Sequence, residues 1–276
     1  MLRDITLGQY YPGYSTVHKL DTRIKIIFTL FYMASIFIIA DFVGYIFITL
    51  CLIAVISISK VPPVFIFRGM KPILFILAFT FLLNLFMTRG EPVVSFWIFK
   101  ISAEGFYNAV YMVLRISFLI IGSSILTLTT KPVKLTDGIE SLLSPFKRIG
   151  VPAHELAMIM SIALRFIPTL LDETDKIMKA QSARGADFET GSLIKRSKAL
   201  LPIFVPLLVG AFRIAGDLAL AMEARCYQVG GTGRTKLHEF KIRRRDIIAM
   251  LLFAAFMGVC VLDRVFHFQA LIFGLF

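Results

Sequence analysis

Four apolar runs in the first half of this chain, and one near its end, constrain its fold more than any other feature. Ile24–Ala40 is broken only by Lys25 at its entrance, and Phe42–Ser59 follows after Asp41, so these two make a tight hairpin. Pro72–Met87 is led in by Lys71, Phe106–Thr130 holds a single charge, Arg115, and Ile247–Leu262 is the fifth. Crossing the hydrocarbon of a bilayer takes roughly 20 apolar residues in a helix. The runs therefore predict an all-α polytopic membrane protein with about five transmembrane helices. Phe266–Phe276 reads as the tail of the last one or as a short sixth segment.

Hydrophobic residues make up 57% of the chain, more than the roughly half expected of a soluble domain. A net charge of +12 raises the possibility of nucleic acid, but its distribution argues against that reading. Basic residues sit between apolar runs, and most of the 27 Phe residues lie inside those runs, where lipid and helix packing account for them. Lys and Arg also orient the chain. Four fall in the amino-terminal segment, three between the second and third spans and nineteen in residues 131–245, against Arg89, Lys100 and Arg264 on the other side. By the positive-inside rule the amino terminus and residues 131–245 face the cytoplasm. The amino terminus lacks the basic-then-apolar design of a cleavable signal peptide, so the first membrane helix is retained.

Residues 131–242 are the unusual part. LTDGIESLLSPFKRIGVP forms a short amphipathic stretch, with Thr136 as a cap whose hydroxyl takes an amide three residues on. Leu156, Ile159, Met160, Ala163, Leu164 and Ile167 then recur at helical spacing in a long helix from Ala153 to about Arg184, and a second helix runs from about Leu193 to Tyr227. Its apolar run Ala199–Phe212 has 14 residues and two prolines, short for a crossing, so it reads as interfacial or protein-buried.

No catalytic arrangement emerges. VGGTGRTK at 229–236 lacks phosphate-loop spacing and reads as a linker, and Asp172, Glu173 and Asp175 read as a solvated face. Cys51, Cys226 and Cys260 and the four histidines are scattered, so neither a metal site nor a cofactor is expected. Arg115, a charge inside a span, reads as a structural anchor that pairs with an acid of the cytoplasmic helices or snorkels. The sharpest feature is a pair of tripeptides at the ends of the two long helices, Ala183-Arg184-Gly185 and Ala224-Arg225-Cys226. Small neighbours leave each guanidinium sterically free to enter a groove on a partner, and its fork engages two acceptors at once.

HKLDTRIK at 18–25, LTDGIESLLSPFKRIGVP at 135–152, ALRFIPTLLDE at 163–173, AQSARGAD at 180–187 and EARCY at 223–227 together make the chain resemble the transmembrane coupling subunit of energy-coupling factor (ECF) transporters, the EcfT/CbiQ family. Two departures stand out. The usual Asp-Pro-Arg is Asp21-Thr22-Arg23 here, which predicts a looser turn, and the second tripeptide ends in Cys226 where Gly or Ser is frequent. The resemblance implies a non-catalytic subunit in a prokaryotic cell membrane. It implies that each Ala-Arg-small motif docks on one of two ATP-binding-cassette ATPases, the unlike tripeptides hinting at a heterodimer. It further implies that the long helices carry ATP-driven motion to a separate membrane-embedded substrate-binding (S) component for vitamin or micronutrient uptake. The chain then divides into a four-helix membrane region 1–130, a coupling region 131–242 and a closing membrane helix 243–276. A dedicated cobalt or nickel importer is the variant reading. A membrane enzyme or a permease with its own substrate path fits less well, because the spans are nearly all apolar.

Overall fold

Asp21 fixes where the first membrane helix begins. Its carboxylate accepts the Arg23 amide at 2.9 Å, a side-chain cap for an otherwise orphaned N–H, and α1 then runs Thr22–Ile38. The other helices are α2 (Phe42–Ser59), α3 (Pro63–Met70), α4 (Leu74–Met87), α5 (Ala103–Thr129), α6 (Pro132–Leu143), α7 (Ala153–Ala183), α8 (Leu193–Ala224) and α9 (Arg244–Phe266). The computed structural model describes residues 10–39, 42–88, 92–96, 99–150, 152–186, 188, 193–227 and 242–266. The turn at Asp41, the 229–236 linker and the segment after Phe266 lie outside the described residues.

Among the described residues the regular structure is helical apart from a short antiparallel hairpin between α4 and α5, in which β1 (Pro92–Phe96) pairs with β2 (Phe99–Ser102). Six helices are long and apolar enough to cross a membrane by length and composition: Phe42–Ser59, Pro63–Met87, Ala103–Thr129, Ala153–Ala183, Leu200–Ala224 and Arg244–Asp263. At 17 residues α1 is slightly shorter than these. Ala153–Ala183 and Leu200–Ala224, which the sequence reading set apart from the spans, are among the six, so length and composition alone do not separate them.

Two details differ from the sequence reading. Residues 63–70 form a helix instead of a loop, because Pro63 at the first helical position is preset for helical φ and a 3₁₀ turn at Lys71–Ile73 joins α3 to α4. Thr136 is not a cap. It lies inside α6, whose first residue is Pro132, and its hydroxyl donates back to the Pro132 carbonyl at 3.2 Å.

The chain separates into two units, Gly8–Gly138 with Phe240–Phe276, and a second built on Ile139–Glu239. In the first, α5 packs against α1, α3 and α4, and α9 packs against α1. Its core joins Ile36, Tyr45, Ile48, Leu52, Phe118, Ile125 and Cys260, all buried. Stacked rings knit α9 to α1 and α2, Phe28 on Phe253 at 4.2 Å and Phe47 on Phe256 at 5.5 Å between centroids. In contrast, Leu200, Leu201, Phe204, Leu251 and Leu252 are among many large apolar side chains left exposed. A soluble protein would bury such side chains; a bilayer or membrane partners can cover them.

Candidate functional site

The two tripeptides close their helices in the same way. At the end of α7 the Gly185 amide donates to the Ser182 carbonyl and the Ala186 amide to the Gln181 carbonyl, both at 3.0 Å. At the end of α8 the Cys226 amide donates to Glu223 at 2.8 Å and the Tyr227 amide to Met222 at 3.0 Å. Each pair is a Schellman closure, in which the residue after the cap must be left-handed. Gly185 has φ +89° and Cys226 has φ +57°. The third residue of each tripeptide is therefore small mainly because it turns the chain at positive φ. The sequence reading had assigned its size to clearance for arginine alone.

Cys226 holds that conformation with a Cβ, at a cost of roughly 1 kcal/mol relative to glycine. Cys226→Gly is expected to slow amide exchange at residues 225–227 about fivefold, and Cys226→Val to accelerate it, because a β-branched side chain is disfavoured at positive φ. Equal exchange in all three proteins would contradict the left-handed cap.

Both arginines are presented outward. Ala183, Arg184, Gly185, Ala224, Arg225 and Cys226 are all exposed, and a Cβ built on Gly185 would meet no atom within 4 Å. Neither guanidinium has a hydrogen-bond or ion-pair partner among the described residues. Each tip is a fork with five donors on a backbone closed by hydrogen bonds, able to take a carboxylate or carbonyl groups from another chain.

One contact between α7 and α8 gives a measure of how far apart the tips stand. Pro206 has no N–H to give the carbonyl four residues back, which belongs to Pro202. Gln181 of α7 supplies a donor instead, its amide nitrogen lying 3.4 Å from that oxygen. Arg184 follows three residues after the crossing, whereas Arg225 lies 23 residues beyond Pro202, or about 35 Å of helix. The arginines are thus on the order of 30–40 Å apart, with one tip beside the crossing and the other far from it. At the opposite end of α7, Nδ1 of His154 lies 3.1 Å from Glu140 of α6, joining the helix start to the amphipathic stretch before it.

Arg115 meets its partners within its own unit. Its Nε donates to the Tyr45 hydroxyl at 3.1 Å, and its guanidinium lies 6.0 Å from the centre of the Phe37 ring. Tyr45 is 2% exposed and packs on Tyr111 and Phe118. Polar and aromatic partners inside the bundle satisfy this charge.

HKLDTRIK proves to be a clasp at one end of α1. His18 Nε2 donates to the Tyr11 carbonyl at 3.1 Å, so Nδ1 accepts from the Ser15 hydroxyl at 2.7 Å. Burial holds the imidazole below its ordinary pKa; the Tyr11 hydrogen bond opposes this and the Lys25 ammonium adds to it. Lys25, 7% exposed, donates to the Thr129 carbonyl at 3.1 Å and the Thr130 hydroxyl at 3.3 Å, closing the end of α5. Asp246 of α9 completes the clasp, accepting the Asp21 amide at 3.0 Å and the Arg243 amide at 2.8 Å. That bond to Asp21 holds the turn that Thr22 in place of proline was expected to loosen. Sequence reading missed Asp246, although an acid in the first turn of a helix is a recognisable start signal.

A family model described as cobalt transport protein, CbiQ, matches residues 13–237. Among curated relatives, the energy-coupling factor transporter transmembrane protein EcfT of Clostridium kluyveri is 54% identical over 96% of this chain and 98% of its own length. The protein of the same name from Thermosediminibacter oceani is 52% identical over 91% of this chain and 94% of its own length. That of Bacillus subtilis is 45% identical over 92% and 97%. Identity at this level over nearly full length, on a bundle of apolar helices, leads to one conclusion: the chain belongs to the EcfT/CbiQ family of transmembrane components of energy-coupling factor transporters.

Proposed function

We propose that the chain is the non-catalytic coupling subunit of its transporter, and that Arg184 and Arg225 dock on two cytoplasmic ATP-binding-cassette ATPases. The observation that carries this reading is the matched pair of exposed, unpartnered arginines on identically closed helix ends. Two such points some 30–40 Å apart suit two partner lobes better than one groove. ATP binding draws the lobes together and moves both tips. Helices α7 and α8, joined at Gln181 and Pro202, convert that movement into a displacement of a membrane-embedded S component that carries the cargo. The excess of Lys and Arg in residues 131–245 favours a cytoplasmic amino terminus and cytoplasmic helix tips. The division into a membrane region 1–130, a coupling region 131–242 and a closing helix 243–276 belongs to the same reading.

The cargo is a vitamin or another micronutrient. The description of the matching family names cobalt, which keeps a metal importer as the second reading. Among the described residues no three His, Cys, Asp or Glu side chains are placed to hold a metal ion, so a metal cargo would be selected by another subunit. Pull-down of the tagged chain from native membranes, with identification of every copurifying chain, is expected to recover two ATPases and at least one small membrane protein. Recovery of the chain without an ATPase would defeat the proposal. The identity of the small membrane protein's ligand would decide between vitamin and metal.

A further inference from the structure

Three cations converge on an open cavity of about 350 Å³ beside the clasp, lined by Lys19, Lys60 and Arg245 together with Tyr14, Thr16 and Ile58. Each cation stands at the end of a helix. Lys19 ends the 3₁₀ turn Val17–Lys19 three residues before the start of α1, Lys60 follows the last residue of α2, and Arg245 is the second residue of α9. No carboxylate lines the cavity. The two nearest in sequence are committed elsewhere: Asp21 to the Arg23 amide and guanidinium, Asp246 to the amides of Asp21 and Arg243. None of the three cations has a hydrogen-bond or ion-pair partner among the described residues.

Backbone geometry points the same way. Lys60 has φ +55°, a conformation in which glycine is the usual occupant after a helix. A lysine held there at some strain places an ammonium where it faces two other positive charges. Such strain is a reason to look for a ligand.

We propose that this cavity binds the phosphate of an anionic phospholipid headgroup. The cations flank the ends of two long apolar helices, the depth at which headgroup phosphates lie, and Ile58 offers an apolar wall toward the acyl side. Lysines act as point charges on such a group, and arginine adds a fork that grips two of its oxygens. The bound lipid screens three like charges and fastens the ends of α1, α2 and α9 to one anchor. The site is independent of the ATPase reading.

The test is native mass spectrometry of the purified full chain in detergent, offered equal amounts of phosphatidylglycerol and phosphatidylcholine. Retention of one phosphatidylglycerol in preference to phosphatidylcholine is expected. Lys60→Gly should lower that retention about fivefold, and Lys60→Gly with Arg245→Gln about 25-fold, from the contribution of each basic residue near an anionic surface. Glycine suits positive φ, so Lys60→Gly removes the charge without disturbing the fold. Lys179→Gln, which removes an exposed charge far along α7, should leave retention unchanged. Undiminished retention in the double variant, or an equal loss in Lys179→Gln, would overturn the proposal. Millimolar inorganic phosphate should not displace the lipid; if it does, free phosphate is the ligand and the headgroup assignment falls.

Discussion

Exchanging Arg184 and Arg225 together for glutamate is expected to lower ATP-driven uptake at least a hundredfold while the protein still inserts in the membrane. Breaking one hydrogen-bonded charge pair at an interface costs about 2–5 kcal/mol, and charge reversal adds repulsion from whatever acceptor the arginine had met. On the proposed docking both contacts act on one assembly, so losing one leaves the other as a tether, and losing both removes that advantage. Either single variant should therefore retain part of the ATPase on purification, and the double variant none. Arg184→Lys should fall between wild type and glutamate, since lysine keeps the charge and loses the fork. Folding should be nearly indifferent, because both side chains are exposed and unpartnered among the described residues. Full copurification of both ATPases with the double variant would defeat the docking assignment, and loss of membrane insertion would show the arginines to be structural.

Asp246→Ala is expected to be the most damaging single change among the clasp residues, at about 3–5 kcal/mol. The side chain is 3% exposed, and each oxygen accepts one backbone N–H. Alanine strands both partly buried donors, at about 1–3 kcal/mol each, and removes the start signal of α9. Asp246→Asn should recover about half, since its amide oxygen replaces one acceptor and its NH₂ opposes the other donor. Thermal unfolding in detergent can be followed with a thiol-reactive fluorophore in a Cys226→Gly background. Cys260 is 1% exposed and reacts once the bundle opens, whereas the exposed Cys226 would react at once. The midpoint should fall by about 10 °C in the alanine variant. An unchanged midpoint would mean that the clasp does not hold α9.

Much of the architecture was legible because it rests on local rules. Apolar runs near membrane length marked α2, α4, α5 and α9, and periodic Leu and Ile with Pro152 at the entrance marked α7 to within a residue. The two tripeptides were legible as a pair because each falls where its helix stops. The structural reason for their third residue was not, since positive φ at Cys226 is visible only once the hydrogen bonds of the helix end are known. Pro63–Met70 was read as a loop because eight residues carrying Arg68 give a weak periodic signal, and its packing against α5 supports the helix there.

The sequence by itself determined that this chain lies in a membrane, has helices as its spans, and ends two long helices in an arginine between small residues. Desolvation and the length of a bilayer enforce the first two, and glycine or another small residue after each arginine marks the third. Only the tertiary structure decided which groups answer each other across the chain. It paired Arg115 with Tyr45, placed Asp246 on the amide of Asp21, and set Gln181 on the carbonyl left open by Pro206. Those pairings join residues 70, 225 and 21 positions apart, and no local pattern encodes them. They arise because a donor or acceptor takes the nearest partner that packing brings to it, and packing is decided by residues far apart in the chain.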